Sequence, residues 1–182
     1  MHSYVLYIGF LVFELVVAVG VAAFALSILY SSFMGSPYVP TKKKELVDFL
    51  KDAGLKKGQL FIELGCGDGR VVRTAVKEYG VKGVGVDINP FLIMWARFLA
   101  KKDKMTNIEL RTENVFNTPL KKADVVYLFL MPELIKKLFP KLTKELKKGS
   151  VVISHGFKVV GWEKKLYKTI EKKPFSTFYY KV

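Results

Sequence analysis

The chain has 182 residues, which is room for one domain of about 100–200 residues and an additional segment. Its 30 Lys and Arg outnumber its 16 Asp and Glu, for a formal net charge of +14. This balance indicates either an acidic partner, such as nucleic acid or an anionic membrane surface, or a solvated lysine-rich surface. The single cysteine, Cys66, excludes an internal disulfide.

The first 34 residues form an apolar segment. Between Tyr4 and Tyr30 the only charged residue is Glu14. At about 1.5 Å per residue a helix of this length spans roughly 40 Å, more than the hydrocarbon core of about 30 Å. No Lys or Arg precedes Lys42, so the basic start of a signal peptide is missing. We predict a retained membrane anchor over residues 1–34, with residues 5–30 in the bilayer. The lysines at 42–44 predict that the remaining chain faces the cytoplasm.

Strands and helices alternate after a linker at residues 35–37. A helix capped by Thr41 and closed by Gly54 comes first. The predicted strands cover residues 60–64, 82–87, 108–112, 124–130 and 150–154, and the helices about 69–79, 90–101 and 132–146. Residues 166–171 and 175–182 are typical of an antiparallel hairpin. The alternation predicts an α/β domain over residues 35–182 with a parallel sheet.

A glycine turn, "ELGCGDGR" at residues 63–70, follows the first predicted strand. Gly65, Gly67 and Gly69 allow a tight turn whose backbone can contact a ligand. A phosphate loop would continue with Lys and Ser or Thr, so Arg70 excludes it, and its size also disfavours a dinucleotide turn. Glu63 would repel a pyrophosphate but favour a cationic amino acid moiety. S-adenosylmethionine, which carries an ammonium and a sulfonium, fits this pattern.

The second predicted strand ends in an acidic residue, Asp87, about twenty residues after the glycine turn. At that place in such folds a carboxylate can accept hydrogen bonds from both ribose hydroxyls. Together with Glu63 and the glycines, Asp87 favours an adenosine cofactor over a merely structural turn.

Several motifs in order resemble one known family. They are "YVPT" (38–41), "ELGCGDGR" (63–70), "GVDINP" (85–90), "DVVYLFLMP" (124–132) and "LKKGSVVISHGF" followed by "GW" (146–162). The chain resembles class I S-adenosylmethionine-dependent methyltransferases, and more narrowly the small protein-lysine methyltransferases related to the ATP synthase c-subunit lysine methyltransferase. The resemblance covers about residues 37–162. It implies a Rossmann-like, doubly wound and mostly parallel seven-stranded sheet.

The same resemblance implies roles for the motif residues. Glu63, Gly65, Gly67 and Gly69 would hold the methionine portion of the cofactor, Asp87 the ribose and Asn114 the adenine. The segment from Tyr38 to Thr41 and the segment after the fourth strand would surround the target lysine. Lysine methylation needs an oriented, desolvated amine, which carbonyls, hydroxyls or aromatic faces can provide. The catalytic candidates are Tyr38, Tyr127, His155 and Trp162, and no metal is predicted.

One departure from the family pattern concerns the fourth strand. The family places a tyrosine where this chain has Phe129, and Tyr127 stands two residues earlier on the same predicted strand face. We therefore predict a membrane-anchored enzyme that transfers methyl groups from S-adenosylmethionine to lysine in a membrane or membrane-associated protein. The alternatives are an RNA or DNA methyltransferase, suggested by the positive charge, and a non-catalytic cofactor-binding assembly factor. No Asn-Pro-Pro-Tyr motif of base-amine methyltransferases follows the fourth strand.

Overall fold

The computed structural model describes residues 2–33 and 43–182. The helices in this part of the chain are α1 (His2–Phe33), α2 (Lys43–Asp52), α3 (Arg70–Tyr79), α4 (Pro90–Lys102) and α5 (Pro132–Glu145). The strands are β1 (Leu60–Leu64), β2 (Lys82–Asp87), β3 (Ile108–Thr112), β4 (Val125–Leu128), β5 (Val151–His155), β6 (Leu166–Ile170) and β7 (Thr177–Lys181). A 3-10 turn, Glu163–Lys165, precedes β6. The linker at residues 35–37 and the cap at Thr41 lie outside the described residues.

The seven described strands form one sheet in the order β3-β2-β1-β4-β5-β7-β6. The strands β1 to β5 pair in parallel, and β7 is antiparallel to both β5 and β6. The predicted doubly wound, mostly parallel sheet and the C-terminal hairpin are confirmed. The fourth strand is shorter than predicted, ending at Leu128, because its neighbour β1 ends at Leu64 where the glycine turn begins.

Side chains alternate across the sheet and form two core clusters. In the first core cluster, helices α2, α3 and α4 pack on one face, for example through Phe49, Val72 and Ile93. In the second core cluster, α5 and the segment after β5 pack on the opposite face. The parallel strands between these two layers have their carboxyl ends at one edge of the sheet. Doubly wound folds bind their ligands at that edge.

The long apolar helix α1 contacts the domain near the start of α4. The rings of Phe24 and Phe91 meet edge to face, with centroids 6.3 Å apart. The side-chain amide of Asn89 donates to the Ser27 hydroxyl over 3.2 Å. Residues Tyr4–Tyr30 are long and apolar enough to cross a membrane, judged by length and composition alone.

Candidate active site

The glycine turn connects β1 to α3, and its glycines leave the backbone there without side chains. Gly65 and Gly69 have φ angles of +76° and +70°, in the left-handed region. A Cβ atom on Gly65 would lie only 2.7 Å from Cδ2 of Leu130. A side chain is therefore disfavoured at Gly65 both by its backbone conformation and by the space around it. The glycines of the turn therefore present backbone without side chains at the carboxyl end of β1.

Glu63 lies beneath this turn. Its side chain is buried, and Oε2 accepts a hydrogen bond from the Val72 backbone N–H over 2.8 Å. Burial raises the pKa of the Glu63 carboxyl well above its ordinary value, although the Val72 hydrogen bond acts in the opposite direction. In this structure Glu63 holds the first turn of α3 against β1. The predicted contact of Glu63 with the cofactor stays a prediction.

Asp87 joins the carboxyl ends of β1 and β2. Its Oδ2 accepts from the Gly67 backbone N–H and its Oδ1 from the Asn89 backbone N–H, both over 2.8 Å. Burial raises the pKa of Asp87 overall, against these opposing hydrogen bonds. The carboxylate thus lies beside the glycine turn, where an acceptor for ribose hydroxyls is expected.

Asn114 lies two residues beyond the end of β3, at the same edge. Its Oδ1 accepts from the Phe116 backbone N–H over 3.0 Å, which closes a local turn, and the residue is exposed. The neighbouring Glu113 N–H donates to the Asp87 carbonyl over 2.9 Å. The structure therefore brings Gly67, Asp87 and Asn114 together along the ends of three adjacent strands.

An aromatic cluster connects α2 with the ends of β4 and β5 and with the segment before β7. The ring of Tyr127 on β4 stacks on Phe49 of α2, with centroids 5.3 Å apart and planes at 10°. Phe129 contacts His155 edge to face at 4.7 Å and Phe175 at 5.1 Å. We call these five residues the aromatic slot. Tyr127 and Phe129 lie on the same side of the sheet, since both pack in the first core cluster, and Phe129 lies just beyond the end of β4.

His155 ends β5 and is only 3% exposed. Its Nδ1 lies 2.9 Å from the Thr177 hydroxyl on β7, which orients the ring. A cavity of about 80 Å³ borders His155 and is also lined by Phe49, Asp52, Lys172 and Phe175. Asp52 pairs with Lys168 at 2.8 Å, so the aromatic rings are the groups that can receive a lysine side chain and remove water from its amine.

The other two catalytic candidates are not part of this cluster. Trp162 is buried in the second core cluster, on the opposite face of the sheet, against Phe139 and Tyr180. It therefore does not meet Tyr127 or His155. Tyr38 lies outside the described residues.

Two members of the aromatic slot are not identified by the sequence. The sequence places Phe49 only on the apolar face of its helix, and Phe175 only in the C-terminal hairpin. No local pattern distinguishes either from an ordinary core aromatic. The Pro174 that precedes Phe175 is the nearest signal, since it marks the turn that carries the ring toward β5.

Comparison with known proteins identifies the family of this chain. Residues 63–166 match the ANTKMT methyltransferase domain. A protein-lysine N-methyltransferase of Saccharolobus islandicus is 40% identical over 131 residues, which cover 71% of this chain and 81% of the relative. The mouse adenine nucleotide translocase lysine N-methyltransferase is 28% identical over 70% of this chain. The chain spans only about half of that relative, with 56% covered.

Solved structures show the same fold. An RNA methyltransferase from Salinibacter ruber, crystallised with S-adenosyl-L-homocysteine, superposes with a TM-score of 0.75 at 32% identity. The match covers 79% of this chain and 94% of that one. A putative methyltransferase structure from Escherichia coli superposes with a TM-score of 0.67 at 12% identity, covering 80% and 89% of the two chains. At that identity the likeness concerns the fold alone.

Proposed function

The chain belongs to the ANTKMT methyltransferase family, and from this premise we propose a membrane-anchored enzyme that methylates lysines of membrane or membrane-associated proteins. The coarser activity follows from the family and its relatives: the chain is an S-adenosylmethionine-dependent protein-lysine N-methyltransferase. The observation that carries the proposed site is the position of the aromatic slot beside the glycine turn. The Tyr127 and Glu63 positions are direct neighbours in the β1–β4 register.

The residues at the strand ends fit the cofactor. Gly65 keeps the left-handed conformation that the turn needs, and Asp87 lies next to Gly67, where it would accept from a ribose. When bound, S-adenosylmethionine supplies the activated methyl group. Glu63 supports the turn through its hydrogen bond with the Val72 N–H, and Asn114, just beyond β3, would contact the adenine ring.

The aromatic slot positions the second reactant. Phe49 and Phe129 place apolar rings against Tyr127 and His155, and such surroundings favour a neutral lysine amine over an ammonium. The Tyr127 hydroxyl and the His155 ring are the polar groups that orient this amine. Most of the rate gain then comes from positioning, because methyl transfer needs no obligatory general base.

Membrane anchoring is the finer part of the proposal. The apolar span Tyr4–Tyr30 and the lysines that follow it at 42–44 support a single-pass anchor with the catalytic domain on the cytoplasmic side. An anchor raises the effective concentration of substrates in the same membrane. Carbonate extraction of membranes should leave the full chain in the pellet, and protease should reach the domain only from the cytoplasmic side. Release into the carbonate supernatant would contradict the anchor.

The substrate class is tested by the location of label. Purified full chain and methyl-labelled S-adenosylmethionine are incubated separately with native membranes, soluble protein and RNA. We expect methyl-lysine in acid hydrolysates of the membrane fraction, and no label with the cofactor-site variant Asp87→Ala. Deletion of residues 1–34 should slow modification of native membranes more than that of a soluble lysine peptide. Equal rates of membrane modification by the full chain and the deletion variant would contradict substrate delivery by the anchor.

RNA methylation is the second candidate function. The Salinibacter ruber neighbour is described as an RNA methyltransferase, and the net charge of +14 would suit a polyanion. RNase-sensitive label in the same experiment would favour it. A non-catalytic assembly factor would bind the cofactor but give no label in any fraction.

A further inference from the structure

Helix α4 is apolar on two faces. Its inner face packs in the first core cluster through Ile93, Ala96 and Ala100. Its outer face consists of Phe91, Met94, Trp95 and Phe98, spaced as positions i, i+3, i+4 and i+7. A surface helix of a soluble domain normally carries polar side chains there.

The outer face of α4 is exposed in the described structure. Met94, Trp95 and Phe98 are 64%, 51% and 54% exposed. The Trp95 and Phe98 rings stack on each other with centroids 5.2 Å apart, so they form a continuous patch. Arg97, the one charged residue among the first nine of the helix, donates its Nε to the Leu110 carbonyl over 2.9 Å. A contiguous exposed apolar patch of this kind marks an interaction surface.

The patch begins where α1 meets the domain. Phe91, the first residue of the outer face, contacts Phe24 of α1, and the cap residue Asn89 donates to Ser27. None of the most apolar part of the span Tyr4–Tyr30 is buried. The outer face of α4 is therefore adjacent to the apolar surface of α1. A lipid bilayer that surrounds α1 would also reach the outer face of α4.

The position of Phe24 along α1 determines how deep the contact between α1 and α4 would lie in a bilayer. Phe24 lies seven residues from Val17, the middle of the span. At about 1.5 Å per residue, Phe24 is then roughly 10 Å from the bilayer midplane, inside a hydrocarbon half-thickness of about 15 Å. Phe91 would consequently lie about 5 Å inside the hydrocarbon boundary, the depth at which interfacial amphipathic helices bury their apolar faces.

The composition of α4 also fits a lipid surface. Trp is enriched at membrane–water interfaces, where an amphipathic ring meets the headgroups. Lys101, Lys102 and Lys104 follow the outer face and are exposed. Basic side chains beside an apolar patch are attracted to anionic headgroups.

We propose that the outer face of α4 inserts into the lipid–water interface and forms a second membrane contact beside the α1 anchor. The inference rests on the proposed anchoring by α1. Because α4 begins three residues after Asp87, this contact holds the cofactor edge of the sheet close to the membrane. The enzyme then selects lysines near the membrane surface over lysines in distant soluble parts of a substrate.

The two tryptophans of the chain provide the test. Trp95 is on the outer face, whereas Trp162 is 2% exposed in the second core cluster. The full chain is reconstituted in phosphatidylcholine and phosphatidylglycerol vesicles, with or without bromine on the acyl chains, and emission is compared between wild type and Trp95→Phe. We expect brominated lipid to remove most of the emission that Trp95 contributes, and to leave the remaining Trp162 emission of Trp95→Phe nearly unchanged.

A matched pair of variants moves the fluorescent tryptophan to another position. In the Trp95→Phe background, Phe98→Trp should restore quenching by brominated lipid. Val160→Trp should not, although Val160 is 77% exposed, because it lies outside the outer face. Trp95 that resists brominated lipid and stays accessible to aqueous acrylamide would overturn the proposal. Protection from both quenchers would also overturn it, since that result indicates a protein partner or a second copy of the chain.

Anchoring is measured on the same samples by carbonate extraction. A chain that stays in the membrane while Trp95 is not quenched would contradict the α4 contact and leave the α1 anchor intact. A chain that is extracted would contradict the anchor itself.

Discussion

Asp87 is the residue at which the cofactor assignment can be tested most directly. Its carboxylate accepts from Gly67 N–H and Asn89 N–H, both over 2.8 Å. A hydrogen bond to a charged group contributes a net of roughly 1.5–3 kcal/mol to stability. Asp87→Asn keeps one acceptor oxygen and loses the other, so we expect the free energy of unfolding to fall by about 1.5–3 kcal/mol.

The same substitution should weaken cofactor binding. If one ribose hydroxyl loses a charged acceptor worth about 1.5–3 kcal/mol, affinity falls roughly 10- to 100-fold, since about 1.4 kcal/mol is a factor of ten. Calorimetric titration with S-adenosylhomocysteine, at a temperature where the variant is fully folded, separates this loss from the loss of stability. The control is Asp103→Asn, because Asp103 follows the far end of α4 and pairs with Arg73 at 3.2 Å.

The outcome can refute the assignment in two ways. Unchanged affinity in a less stable Asp87→Asn protein would mean that the carboxylate only joins β1 to β2. Tighter binding of NAD than of S-adenosylhomocysteine by the wild-type protein would mean that the edge holds a dinucleotide.

Three further predictions concern the turn and the slot. Glu63→Gln should become more stable relative to wild type as pH rises above 4.5. Burial raises the pKa of the folded Glu63, so the folded protein holds a proton that the unfolded chain releases. A difference in the free energy of unfolding between the two proteins that does not change with pH would contradict this prediction. Gly65→Ala should lower the melting temperature more than Gly149→Ala does. Both residues have positive φ, with a left-handed cost of about 1–2 kcal/mol, but only the Cβ at Gly65 meets Leu130. Equal losses would show that the contact is relieved easily. Tyr127→Phe should slow turnover roughly tenfold, as expected for loss of one oriented hydrogen bond, with unchanged cofactor affinity by calorimetry. Loss of both turnover and cofactor affinity would indicate that Tyr127 has a structural role.

The order of elements along the chain was predictable because it depends on local patterns. Alternating apolar residues and glycines such as Gly54 and Gly149 mark where strands and helices begin and end. The glycine turn and Asp87 were also found from the sequence, since the turn directly follows β1 and Asp87 ends β2. Parallel strands align their carboxyl ends, so residues in those places meet whatever the rest of the fold does.

The composition of the aromatic slot was decided by tertiary structure. Phe49 and Tyr127 are far apart in the chain and meet only because α2 packs on the face of the sheet that Tyr127 shares with Glu63. Trp162 was indistinguishable in the sequence from a slot residue, but the chain after β5 crosses to the opposite face and buries it there. Which face a loop residue joins depends on the path of the chain, and short-range periodicity carries no information about that path.

The sequence by itself determined the glycine turn, the acid at the end of β2 and the apolar span, because each is a property of consecutive residues. Only the tertiary structure decided that β7 enters between β5 and β6, bringing Thr177 to His155. It also decided that Phe24 of α1 meets Phe91 of α4. Such contacts form between residues that are distant in the chain, and they depend on which arrangement of the whole fold buries the most apolar surface and satisfies the most hydrogen bonds. A local stretch of sequence does not carry that information.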